Sequence, residues 1–212
     1  TMLFSATMPQ DIVAIAQKDI KRLLAYSGIA QIGNILIGVA AATKLGGDSV
    51  LYYLLTYLFA NLGAFAAVIA FSNRTGSDQI EDYSGLNRRS PFLAMAMLIF
   101  LLSLAGVPPL AGFLGKIYVF AAAVKEGLIF LIIVGLINIV IAMYYYLVVV
   151  KKMYINEPTD RNPIPVPWAL KATIYVCLAG VLILGIYPKP VIEFTVASTQ
   201  IFSHLIPTAM IK

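Results

Sequence analysis

Long apolar runs separated by short polar or charged stretches set the pattern of this chain. A helix that crosses a bilayer needs about 20 predominantly apolar residues, and five segments reach that length. They run over residues 23–43, 49–73, 90–124, 127–150 and 168–187. The third is uncharged from Ser90 to Gly115, meets Lys116 and then continues apolar. The fifth carries only Lys171 near its start, where a long stem can snorkel to the interface. Residues 191–206 are amphipathic at best and are expected to lie along a surface.

Composition supports an all-α membrane protein. Of 212 residues, 60% are hydrophobic and 12% charged, with a mean hydropathy of +0.88. Soluble domains average roughly 45–50% apolar and about 25% charged residues, and a water-soluble core of this length cannot absorb the excess. The net charge of +5 would suggest nucleic acid in a soluble protein. Here the basic residues sit in short loops, so the expected partner is the lipid bilayer and not nucleic acid. Cys177, the single cysteine, lies inside an apolar run and reads as buried and structural, which leaves no cysteine-based metal site. Residues 1–5 lack a basic stretch followed by an apolar one, unlike a signal peptide, and read as a chain already under way.

Charge placement orients the spans. Lys18, Lys21, Arg22, Arg74, Arg88, Arg89, Lys151, Lys152, Arg161 and Lys171 fall on one side. Lys44, Lys125, Lys189 and Lys212 fall on the other. The positive-inside rule makes the first side cytoplasmic, so the C-terminus is expected on the outer face. The chain then divides into the end of a preceding span and a cytoplasmic loop (1–22), a four-span membrane domain (23–154), a cytoplasmic loop (155–167), a last transmembrane helix (168–188) and a tail (189–212).

The third span carries the candidate chemistry. Residues 90–125 as one straight helix would measure about 54 Å at 1.5 Å per residue, against a hydrocarbon core of about 30 Å. Gly106, Pro108, Pro109 and Gly112 resolve the surplus. Tandem prolines remove two backbone donors, clash with carbonyls one turn back and push their predecessors out of the helical region. A break over residues 106–112 is therefore predicted. Irregular backbone at membrane depth is tolerated where it is buried in protein or lines a wet cavity, and broken helices mark transport sites. A structural proline kink is the alternative.

Lys116 is the one ionisable side chain inside the apolar part of any span. A lysine at the bilayer centre costs roughly 2.5–3.5 kcal/mol on insertion scales, and such residues mark ion or proton pathways. Snorkelling is the alternative, but Gly112 and Gly115 leave room for close packing or water around it. No Asp or Glu lies within the five spans, so a counter-charge must come from elsewhere. Tyr26, Ser27, Gln31 and Asn34 recur at near-helical spacing on the first span; Asn61 lies on the second, and Asn138 with Tyr144, Tyr145 and Tyr146 on the fourth. Such groups can hold a water chain, although interhelical hydrogen bonding is the commoner use. The tyrosines also suit an interfacial aromatic belt. Lys21 is an anchor or, less simply, a proton entry. His204 carries no assignment. No phosphate loop, nucleophile triad or metal-ligand cluster is present in the sequence.

Four stretches together resemble a known family. They are Lys21-Arg22-Leu23-Leu24-Ala25-Tyr26-Ser27, Asn61-Leu62-Gly63-Ala64-Phe65, Asp82-Tyr83-Ser84-Gly85-Leu86, and the run from Ser103 through Pro108-Pro109 to Gly115-Lys116. With Tyr144-Tyr145-Tyr146-Leu147 they resemble the antiporter-like membrane subunits of respiratory complex I. The likeness covers roughly residues 17–154 and is looser at Gly185-Ile186-Tyr187-Pro188. It implies a fourteen-span fold with two inverted five-helix repeats, of which this chain holds most of the second repeat plus the last helix. It also implies a proton-translocating subunit of a bacterial plasma-membrane NADH:quinone oxidoreductase, with Lys116 as the channel lysine. NADH, FMN, iron–sulfur clusters and quinone would be held by other subunits, and the other membrane subunits would be partners. A cation/proton antiporter or membrane-bound hydrogenase subunit, and a scaffold that moves no protons, remain alternatives. Met8-Pro9-Gln10-Asp11-Ile12 stands where the family has a Gly-Asn pair, and Gly28 and Asn34 replace a Ser and an aromatic residue.

Overall fold

A computed structural model describes residues 18–205 except 159 and 161. The Met8-Pro9-Gln10-Asp11-Ile12 departure and the charges Arg161 and Lys212 lie outside the described residues. The fold is all-helical. In chain order the helices are α1 (Ile20–Ala40), α2 (Lys44–Thr75), the single turn α3 (Leu86–Arg89), α4 (Pro91–Ala105), α5 (Ala111–Lys125), α6 (Ile129–Tyr154), α7 (Trp168–Ile186) and α8 (Lys189–Leu205). Four of them, α1, α2, α6 and α7, are long and apolar enough to cross a membrane. The remaining expected span is divided into α4 and α5, at the predicted place.

Helix ends depart from the apolar runs because caps, not hydropathy, set them. Asp19 accepts from the Arg22 N–H at 3.0 Å, which starts α1 before the apolar residues begin. Thr43 accepts from the Gly46 N–H at 3.1 Å, so α2 takes in Lys44 and Asp48 ahead of the predicted start at residue 49. The tail is helical, as α8, and packs on α2; the Thr199 hydroxyl bonds the Asp48 carboxylate.

The post of the bundle is α2, with α1, α4, α5 and α7 packed around it. Small residues permit the close approach. A Cβ at Gly63 would lie 2.2 Å from the Phe100 ring, and one at Gly180 would lie 2.6 Å from that of Phe59. Cys177 is buried and free. Tyr146 is fully buried, so it does not belong to an aromatic belt, whereas Tyr144 is 66% exposed and suits one. The difference arises because consecutive helical positions point about 100° apart.

At the end of the bundle where α1, α4 and α7 begin, the polar connections are tied by ion pairs. Lys152 pairs with Glu81 and Arg88 with Glu157. The buried Arg89 reaches Asp160 at 3.2 Å and the Asn162 carbonyl at 3.2 Å, and its own carbonyl accepts from the Ile164 N–H at 3.2 Å, which holds these residues at the start of α4. Lys21 donates to Asp78 at 2.8 Å. The Lys21 bond, then one from the Ser72 hydroxyl, holds the Asp78 carboxyl below its ordinary value of 3.8. A carboxylate so held contributes stability that is full above that ordinary value and is lost as pH falls through the lower folded value. The pair is partly exposed, so its contribution is small, roughly 0.2–1 kcal/mol. Thermal unfolding of the detergent-solubilised protein between pH 6 and pH 3 checks this, by design of the pH series. Asp78→Asn is expected to flatten part of the wild-type loss at the acid end; an identical acid profile would refute the role.

Candidate functional site

The site grows out of how α4 ends. Gly106, at φ 88°, turns the chain left-handed; its N–H donates to the Leu102 and Ser103 carbonyls, and the Val107 N–H donates to Leu102. These are the bonds of a Schellman cap. They leave the next two carbonyls, Leu104 and Ala105, without helical donors. In a continuing helix those donors would be the N–H groups of residues 108 and 109, and both are proline. The double proline therefore does more than interrupt the helix. It strips two adjacent buried carbonyls of their partners, and a buried carbonyl must find another.

Lys116 supplies it. Its ammonium donates to the Leu104 carbonyl at 2.7 Å and to the Ala105 carbonyl at 3.0 Å. The side chain is only 4% exposed. A helical side chain tilts toward its own N-terminus, which aims Lys116 on α5 back at the end of α4. The negative end of the α4 dipole favours a cation there. Snorkelling is not what the structure shows: the lysine turns inward to backbone.

Glycines make the geometry possible. α5 starts beside the last turn of α4, with the Gly112 N–H donating to the Ser103 hydroxyl at 3.2 Å. A Cβ at Gly112 would sit 1.9 Å from the Ser103 carbonyl oxygen. The two half-helices thus overlap, and this overlap shortens a segment that would be too long if straight. At Gly115 a Cβ would lie 2.4 Å from the Tyr53 ring, and at Gly106 one would lie 3.0 Å from Lys116 Cδ and Nζ. Gly185 of α7 backs onto the Pro109 carbonyl, 2.4 Å from a Cβ placed there. Pro108 and Pro109 themselves are exposed.

Of the other predicted residues, Gln31 joins the site. Its Nε2 donates to the same Leu104 carbonyl at 2.8 Å, and its Oε1 accepts from the Tyr53 hydroxyl at 2.5 Å. Asn34 is also buried. Asn138 is half-buried and reaches only the Ala30 carbonyl, at 3.5 Å, which ties α6 to α1. Asn61 lines an apolar groove of about 530 Å³ between α2 and α8. Lys21 is engaged by Asp78, ten residues and so about 15 Å along α1 from Gln31. Tyr26 is half-buried near that same end. Tyr53, Thr56 and Ser103 were not singled out from the sequence. They could have been: Ser49, Tyr53 and Thr56 recur at one-face spacing on α2, and all are buried. Tyr53, Thr56 and Ser103, with Gln31 and Leu104, line a void of about 10 Å³, room for one water molecule.

Comparisons with known proteins agree with one another. Residues 1–142 match the family model described as NADH:quinone oxidoreductase/Mrp antiporter, TM. The chain is 47% identical to NADH-quinone oxidoreductase subunit N of Moorella thermoacetica, over 91% of this chain and 40% of that protein. It therefore spans about two-fifths of the length of that relative. Among solved structures, a chain of respiratory complex I from Thermus thermophilus matches at 34% identity with a TM-score of 0.71, over 85% of this chain and 41% of that one. A chain of the Mrp complex from Dietzia sp. matches at 24% identity with a TM-score of 0.78, over 92% of this chain and 45% of that one, a likeness of fold.

Proposed function

Since this chain belongs to the membrane family shared by NADH:quinone oxidoreductases and Mrp antiporters, we propose that it moves protons across the membrane as part of an NADH:quinone oxidoreductase, with Lys116 as the carrier. The observation that carries the reading is the Lys116 ammonium seated on the two carbonyls that Pro108 and Pro109 leave without donors. Among the described residues no carboxylate pairs with it. Carbonyls satisfy the ammonium's N–H bonds without adding the countercharge that would lock the proton in place. Burial disfavours the charged form of an amine, and an acid brought near it favours that form. A lysine so placed gains or gives up a proton when a neighbouring charge changes.

The rest of the reading follows the family resemblance. NADH, FMN, iron–sulfur clusters and quinone are bound by other subunits, the other membrane subunits are partners, and the acid that answers Lys116 comes from outside the five spans, none of which holds an Asp or Glu. The basic end of the bundle faces the cytoplasm.

The test is Lys116→Ala in the intact, membrane-embedded complex, scored as protons moved per NADH oxidised. The variant is expected to lose the share of pumping that this subunit carries. Lys116→Arg is expected to behave like the alanine variant, because a guanidinium does not give up its proton. Full pumping by Lys116→Ala would end the proposal. Proton movement that required sodium and no NADH would favour the antiporter alternative.

A further inference from the structure

Two donors converge on one oxygen at this site. Lys116 Nζ and Gln31 Nε2 both donate to the Leu104 carbonyl, at 2.7 and 2.8 Å. On the far side of Gln31, the Tyr53 hydroxyl donates into the carboxamide. The order is therefore Tyr53 to Gln31 to Leu104, and from the other side Lys116 to Leu104. A relay needs every intermediate group to accept one proton and donate another. A backbone carbonyl only accepts, and an amide nitrogen only donates. As seen here, the connection between Lys116 and the α1–α2 face holds the lysine but passes nothing.

We infer that Gln31 is a gate: its carboxamide closes the route from Lys116 toward Tyr53 while bonded to Leu104, and opens it when it turns away. The inference rests on the reading of Lys116 as a proton carrier. The adjoining void, lined by Gln31, Tyr53, Thr56, Ser103 and Leu104, has room for one water. Turning the carboxamide out joins its own volume to that void, so that water stands where the amide stood. Water both accepts and donates. The ammonium gives one proton to the oxygen of the water at the amide's place, and that water passes one of its own to the water in the void beside Tyr53 and Thr56. The lysine is left neutral and the water unchanged. Gln31 touches no reacting proton in this scheme; it is a positioning residue.

The scheme makes two substitutions at one position act oppositely, which loss of packing does not. Gln31→Ala removes the plug and leaves a water-sized space. In the full complex reconstituted in proteoliposomes it is expected to lower the ratio of protons moved to electrons transferred and to raise passive proton leak. Roughly two- to tenfold is the range that one lost buried hydrogen bond permits. Gln31→Leu fills the space with apolar bulk and holds no water. It is expected to stay tight and to slow proton movement and electron transfer together, with their ratio kept. Tyr53→Phe, which removes only the hydroxyl that steadies Gln31, is expected to leak less than the alanine variant and serves if either Gln31 variant fails to assemble. Adding Lys116→Ala to Gln31→Ala is expected to abolish the leak. Equal tightness and equal ratios in Gln31→Ala, Tyr53→Phe and wild type would overturn the gate. So would a leak that survives in the double variant. Full pumping by Lys116→Ala alone would instead overturn the carrier reading on which the gate rests.

Discussion

Gly112→Ala is expected to keep the subunit from accumulating in the membrane in its folded form. The methyl group would be placed 1.9 Å from the Ser103 carbonyl oxygen and 2.8 Å from its carbon. That obstacle is the backbone of a regular helix, so no side-chain rotation relieves it. α4 and α5 must move apart, and the Gly112 bond to Ser103 and the Lys116 bonds to Leu104 and Ala105 lengthen with them. Overpacking typically costs 1–3 kcal/mol and sometimes more; contact against backbone belongs at or above the top of that range, about 3 kcal/mol. Assembled complex on native gels should fall several-fold, and the thermal midpoint of what remains should drop. Gly33→Ala is the control. Nothing lies within 4 Å of a Cβ there, and alanine in an exposed helical position is favoured over glycine by up to about 1 kcal/mol. Wild-type assembly and stability in Gly112→Ala would show that the half-helices do not overlap as described.

The second large effect concerns function more than stability. Replacing both Pro108 and Pro109 by alanine restores two N–H donors at the positions that a continuing helix would aim at Leu104 and Ala105. Proline disfavours a helix interior by about 3 kcal/mol relative to alanine, so the variant gains a strong tendency to extend α4 past Gly106. Backbone donors then compete with Lys116 for both carbonyls, and an α4 that continues past Gly106 no longer presents its end to the ammonium. The expected result is a complex that assembles as well as wild type yet loses the pumping share lost by Lys116→Ala. Hydrogen exchange provides a structural readout, since newly bonded amides at 108 and 109 should exchange slowly. Normal pumping with fast exchange there would mean that Gly106 alone maintains the break and that the prolines are dispensable.

The break was legible because it depends on covalent facts: proline has no N–H wherever it stands, and glycine alone takes a φ of 88° without strain. Lys116 was legible for a similar reason, as one charge in an apolar run. The sequence could not tell Gln31 from Asn61, both amides within apolar spans. One reaches Leu104, 73 positions away in the chain, and the other faces the groove between α2 and α8. Nor could it show what holds Lys21, read as an anchor or, less simply, a proton entry, because Asp78 lies 57 positions further on. Tyr144 and Tyr146 differ only in direction, which becomes burial or exposure once α6 has a neighbour.

What the sequence determined by itself, then, is local: which stretches prefer lipid to water, where a helix cannot continue, and which charge is left inside. These follow from transfer free energy and backbone sterics, which act within a few residues. What only the tertiary structure decided is the lysine's company. The overlap of α5 with the end of α4 brings Lys116 to Leu104 and Ala105, and the packing of α1 and α2 against that end adds Gln31 and Tyr53. Those neighbours come from close packing between helices distant in sequence, and hydrophobic pattern carries no record of which face meets which. A buried charge announced a site; its acceptors, and the amide that shares one of them, exist only where four helices meet.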